Sequence, residues 1–101
     1  MSTVIYGMLH DEKQRNLRMQ STCKNEIERL PKGTIVTKKR NDKSYYYLLY
    51  REGKTVKTEY LGRDEAVIES IRVKIAERKK QQAALKRLVL EYKQICRIVK
   101  D

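Results

Sequence analysis

Hydrophobic and polar residues change their period twice along this chain, and the changes mark out three regions. Residues 11–29 contain neither glycine nor proline, and good helix formers dominate them. Asp11 is suited to cap the start, and Leu30-Pro31 ends the run because the residue before proline avoids helical angles. The apolar stripe of this helix is weak: Leu17 stands alone, and Cys23, Ile27 and Leu30 follow at helical spacing. Only the second half is therefore expected to pack firmly. Ahead of it, Val4-Ile5-Tyr6 before Gly7 reads as a small strand or a tail that docks.

Residues 30–62, LPKGTIVTKKRNDKSYYYLLYREGKTVKTEYLG, shift to strands cut by turns. Pro31-Lys32-Gly33 is a turn, and strands are predicted over 34–39, 45–50 and 55–61. Asn41-Asp42 joins the first pair. At the second junction a two-residue Glu52-Gly53 turn needs positive φ at Glu52, so a three-residue turn, Arg51-Glu52-Gly53, with glycine left-handed, is preferred. That choice sets Leu48 opposite Val56 and Tyr46 opposite Thr58. One face then gathers Tyr46, Leu48, Tyr50, Val56 and Tyr60 as the core, and Ile35 and Thr37 join them if Asn41-Asp42 is a two-residue turn. The other carries Val36, Lys38, Tyr45, Tyr47, Leu49, Lys57 and Glu59. A slip of one residue at the second turn exchanges the partners drawn from the third strand.

After Gly62, Asp64 and Glu65 suit a helix start, and no glycine or proline follows in 63–101. One helix of roughly 35 residues is expected, about 55 Å long at 1.5 Å per residue. A heptad reading sets Val67, Ile71, Leu85, Leu88, Tyr92, Ile95 and Val99 on one seam, interrupted by Lys74, Arg78 and Gln81. Two contact zones follow: the sheet first, then either the N-terminal helix or a second copy of the chain. The fold class is α+β: an N-terminal helical segment (1–30), a three-stranded antiparallel β-sheet (31–62) and a long basic C-terminal helix (63–101) in a single domain. The four glycines all read as turn residues.

Charge adds to this picture through its distribution. The net charge is +11. The excess of Lys and Arg over Asp and Glu is +1 in residues 1–30, +5 in 31–62 and +5 in 63–101. A field of that sign attracts phosphates, anionic headgroups or an acidic protein surface. On the heptad frame Arg72, Lys79, Lys86, Lys93 and Lys100 recur every seven residues, and Lys80 and Arg87 widen the stripe. Such a line is able to follow a phosphate backbone, each contact releasing counterions; the plainer reading is a solvated helix face. On the sheet, Tyr45 and Tyr47 beside Lys38, Lys43 and Lys57 combine ring faces with cations, which suits bases and phosphates, although tyrosines also fill half-buried sheets. Lys39, Arg40 and Lys43 make the hairpin tip basic.

Motifs for catalysis are absent from the sequence. His10 is the only histidine and has no nucleophile near it in sequence, no glycine-rich phosphate loop occurs, and the acidic pairs fall at predicted helix starts. Cys23 and Cys96 lie far apart without metal-ligand spacing, which suits thiols better than a disulfide. The expectation is a cytoplasmic protein with no cofactor, no metal and no membrane segment.

The run KSYYYLLYREGKTVKTEYLG resembles a family of small bacterial and mobile-element proteins. They share a proline-lysine-glycine start, a basic strand, consecutive tyrosines and a YREG-type turn before a strand ending in YLG. The same run is similar, more loosely, to the three-stranded arm-binding domains of phage and transposon integrases, which enter the DNA major groove. That second resemblance implies that Lys38, Tyr45, Tyr47 and Lys57 face DNA. The expected function is binding of DNA, RNA or a ribonucleoprotein. The alternative is an anti-CRISPR-type inhibitor that covers the guide RNA or DNA channel of an RNA-guided nuclease. A homodimer through the C-terminal helix is a further partner expectation, and a membrane-surface helix ranks last.

Overall fold

The chain is α+β, in the order α1 (Thr3–Arg29), β1 (Thr34–Arg40), β2 (Lys43–Glu52), β3 (Thr55–Gly62) and α2 (Glu65–Val99). The computed structural model describes residues 3–99. It divides into two compact units. A sheet unit runs from Leu30 to Arg78, and a helical unit combines residues up to Arg29 with those from Lys79 onward, so α2 contributes to both. No helix among the described residues is long and apolar enough to cross a membrane.

In the sheet unit the strands lie in the order β1-β2-β3. The first hairpin is as expected. Asn41 and Asp42 take φ of 52° and 63°, the signs of a type I′ turn, which these two residue types tolerate better than most. Ile35 faces Leu48 and Thr37 faces Tyr46.

The second hairpin corrects the expected register. Its loop is Gly53-Lys54, with Glu52 opposite Thr55 and Leu48 opposite Glu59. Gly53 alone has positive φ there, 61°, the sign pattern of a type II′ turn with glycine at the first central position. A left-handed glycine serves either loop. The shorter one lets β2 continue to Glu52, adds the pairs Arg51/Val56 and Glu52/Thr55 to the ladder, and brings Lys57 into an ion pair with Glu52. The displacement is an odd number of residues, so β3 presents the opposite face at every position. Val56 and Tyr60 leave the core face and are 51% and 55% exposed, whereas Leu48 is 7% exposed. Lys57 and Glu59 move to the side of Leu48. A bulge follows: Tyr47 faces Tyr60, but Tyr46 faces Gly62, leaving Leu61 unpaired.

Leu48 is buried together with Ile68 and Ile75 of α2. Asp64 caps this helix as expected, its Oδ1 accepting from the Ala66 amide at 3.0 Å while its carbonyl accepts from the Ile68 amide at 3.1 Å. The expected seam holds only in part in this stretch of α2: Ile71 is half-buried, but Val67 and Lys74 are exposed and the adjacent Ile68 and Ile75 are buried. The stripe changes phase near Arg78, where α2 passes from one unit to the other, so one heptad frame does not describe both halves. Arg78 does not interrupt the seam: its Nη1 donates to the Leu30 carbonyl at 2.7 Å, satisfying an acceptor left over just beyond α1.

The helical unit departs further from expectation. The 27 residues of α1 start at Thr3, so Val4-Ile5-Tyr6 is helical, Asp11 lies inside the helix, and Gly7 is a helical residue instead of a turn. A lone glycine costs a helix only about 1 kcal/mol against alanine. The buried residues of α1 are Asn16, Gln20 and Cys23, with Leu9, Lys13 and Ile27 half-buried at the same spacing. This is a heptad seam whose middle, Lys13, Asn16 and Gln20, is polar. Asn16 is 2% exposed and its apolar neighbour Leu17 39%. The Asn16 side-chain amide donates to the Leu88 carbonyl at 3.0 Å and its Oδ1 accepts from Gln20 Nε2 at 2.7 Å. Lys13 Nζ lies 5.8 Å from the Tyr92 ring centroid. The pairs 16/88 and 13/92 make α1 antiparallel to this half of α2, so the second contact zone of α2 is α1. Both cysteines are free thiols, and Cys23 is buried.

Candidate nucleic-acid interface

Strand alternation assigns each sheet residue to a face, and the register makes the two faces chemically different. On the side of Leu48 lie Glu52, Lys57 and Glu59, with Lys39 opposite Ser44. On the other side lie Val36, Lys38 and Arg40 of β1, Lys43, Tyr45, Tyr47, Leu49 and Arg51 of β2, and Val56, Thr58 and Tyr60 of β3. Of the three acidic residues in 31–62, Glu52 and Glu59 are on the Leu48 face and Asp42 is in the first turn. The second face therefore carries four cations and no carboxylate.

The rings on this face meet one another and their cations. Tyr47 and Tyr60, paired across the strands, have centroids 5.3 Å apart with planes tilted by 51°. Lys38 Nζ sits 5.0 Å from the Tyr47 centroid, and the Arg63 guanidinium 5.6 Å from that of Tyr45. Each geometry is within the range of a cation–π contact. Tyr45 and Tyr47 are half-buried, whereas Tyr60, Val56 and Leu49 are exposed. Next to them a hollow of ≈ 440 Å³ is lined by Lys32, Gly33, Leu49, Tyr50, Arg51 and Val56. Gly33 is needed beside it: with φ 123°, a Cβ there lies 2.5 Å from the Leu49 carbonyl oxygen.

The sequence-selected residues separate into distinct places. Lys38, Arg40, Lys43, Tyr45 and Tyr47 share the carboxylate-free face. Lys57 does not: it lies on the Leu48 face, paired with Glu52, and Lys39 is on that side too. Arg72 is exposed in the sheet unit and lines a separate hollow of ≈ 510 Å³ with Tyr46, Glu65, Ala66, Ile68 and Glu69, where two carboxylates offset its charge. Lys79, Lys80, Lys86, Arg87 and Lys93 are all exposed on the part of α2 that belongs to the helical unit, and Lys100 lies outside the described residues. Sequence reasoning missed Arg51, Tyr60 and Arg63. Arg51 and Tyr60 both depended on the second turn, since the expected three-residue loop takes Arg51 out of β2 and puts Tyr60 on the core face.

Residues 9–73 match a protein family described as a domain of unknown function (DUF6788). The matched stretch takes in the whole sheet and ends before Lys79. No curated protein and no solved structure matches the chain.

Proposed function

The chain belongs to the DUF6788 family, and we propose that it acts without catalysis, binding nucleic acid through the open face of its sheet. The observation that carries this reading is the segregation of charge. Lys38, Arg40, Lys43 and Arg51 surround tyrosines on a face from which every carboxylate is excluded. A surface made cationic only for solubility has both signs interspersed, as the Leu48 face does with Lys57 between Glu52 and Glu59. Cations beside aromatic rings favour a ligand that has phosphates and flat bases together. The exposed lysines of α2 add a sequence-independent attraction for the same polymer.

The test is a salt titration of binding to labelled nucleic acid for the wild type and two variants. Replacing Lys38, Arg40, Lys43 and Arg51 by glutamine is expected to lower the slope of log affinity against log salt by roughly 3–4, at about 0.7–0.9 per lost phosphate contact. Glutamine at Lys79, Lys86 and Lys93 is expected to lower it by less. An unchanged slope in the sheet variant overturns the reading. An unchanged slope in the helix variant leaves that stripe as a solvated face.

Should no nucleic acid bind, a protein partner becomes the better reading, and an inhibitor or adaptor role with it. Leu88 and Tyr92 of the seam meet α1, so a partner or a second copy is better served by exposed apolar residues of the helical unit such as Val4, Ile5, Met8, Leu90 and Ile98.

A further inference from the structure

Resting on that reading, we infer that the polymer this face takes is single-stranded, with bases stacked on Tyr60 and seated beside Leu49 and Val56, and not the groove of a duplex. The distribution of chemistry across the face decides between the two. A duplex hides the faces of its bases and presents their edges, so a sheet that reads a groove needs long hydrogen-bonding side chains at its centre. Here the centre is Val36, Tyr47, Leu49, Val56 and Tyr60, with the short hydroxyl of Thr58 as its only hydrogen-bonding group apart from the tyrosines, and the cations stand at the two ends of β2: Lys38, Arg40 and Lys43 near one hairpin, Arg51 near the other. An apolar, aromatic middle with charged ends matches splayed bases whose phosphates run along the margins.

The rings are not equivalent. The Tyr45 ring has the Arg63 guanidinium over it and the Tyr47 ring the Lys38 ammonium, so both already have a cation partner. Tyr60 is the exposed member of the set, held at its inner edge by Tyr47. Its ring is the surface on which a base adds with least rearrangement. From Tyr60 the path continues over Val56 and Leu49 to the ≈ 440 Å³ hollow that Lys32 and Arg51 also line. That hollow offers apolar walls for a second base and two cations for its phosphate. The distance from Tyr45 to Arg51 along β2 is about 20 Å, room for a few unstacked nucleotides.

The experiment compares four labelled probes at near-physiological salt: a short oligodeoxyuridylate, the equal-length oligouridylate, an abasic strand of the same length, and a duplex. The full chain is used as wild type, Tyr60→Ala and Tyr60→Phe. Expected results are tighter binding of the base-bearing single strands than of either the abasic strand or the duplex. Tyr60→Ala is expected to weaken the single strands about tenfold, within the range that loss of one stacked base produces, without changing the salt slope or duplex binding, and Tyr60→Phe to retain wild-type affinity. The two base-bearing strands then tell DNA from RNA by the 2′-hydroxyl. Equal binding of abasic and normal strands, or a duplex bound at least as tightly, overturns the single-strand inference while leaving nucleic-acid binding intact. No binding to any probe overturns both. Tyr60 is a surface residue, so the variants keep the fold, and circular dichroism of each verifies that a loss of affinity is not unfolding.

Discussion

An added methyl group meets a different environment at each of Gly7, Gly33 and Gly53. At Gly7 nothing lies within 4 Å and the residue is inside α1, so Gly7→Ala is expected to stabilise the protein by up to about 1 kcal/mol. At Gly53 the space is equally open but φ is 61°, and Gly53→Ala is expected to cost about 1–2 kcal/mol. At Gly33 unfavourable φ and close contact combine, with the Leu49 carbonyl oxygen at 2.5 Å and Tyr50 Cβ at 3.0 Å. Gly33→Ala should cost more than Gly53→Ala, above about 2 kcal/mol. Urea denaturation of the three variants checks the order, and a Gly33→Ala protein as stable as wild type refutes the close approach. Asn16 makes a second contrast at this scale. Asn16→Ala removes the donor to the Leu88 carbonyl and the acceptor of Gln20, and is expected to cost about 1–3 kcal/mol. Leu17→Ala, one residue on and 39% exposed, is expected to cost less, about 0.5 kcal/mol. The ranking is the reverse of what hydrophobicity alone gives, and equal costs would refute the polar seam.

At the scale of elements, what was legible followed from residues whose type admits one conformation. Asn41-Asp42 was readable as a two-residue turn because both tolerate positive φ, and Asp64 as a cap because its carboxylate precedes an unbroken helical run. Gly53 was not decisive, because a left-handed glycine suits the last position of a three-residue loop and the first of a two-residue loop. The choice between them was made by pairs that only the folded ladder reveals, Glu52 with Thr55 and Arg51 with Val56. That one ambiguity decided the face of every β3 residue, and with it whether Tyr60 belonged to the core or to the candidate site. In α1 the difficulty was of another kind. A search for apolar periodicity passes over Lys13, Asn16 and Gln20, although they repeat with the spacing of a seam, because the amides satisfy each other and a helix carbonyl. The phase change in α2 was hidden for a third reason: the sequence does not announce that one helix serves two units. The exposure of Lys79, Lys86 and Lys93, in contrast, followed from spacing alone.

For the whole molecule, the balance is between thin cores and a net charge of +11. The buried hydrophobic side chains among the described residues are Cys23, Leu48, Ile68, Ile75 and Leu88, so self-repulsion works against a modest stabilising term. Screening should therefore help the folded state. Raising sodium chloride from about 0.02 M to about 0.5 M shortens the Debye length from roughly 20 Å to roughly 4 Å, and a rise of a few degrees in the thermal midpoint is expected. A midpoint that stays level or falls means that repulsion does not limit stability. The division into two units has a consequence for how the molecule comes into being. The sheet unit is one unbroken stretch of chain, but the helical unit joins residues up to Arg29 with residues from Lys79 onward. On the ribosome α1 emerges first and must wait while about 50 more residues are made, several seconds at roughly 5–20 residues per second. An apolar seam left waiting would invite wrong partners. Lys13, Asn16 and Gln20 are at ease in water until the second half of α2 arrives, so the residues that make α1 hard to read also let it wait safely.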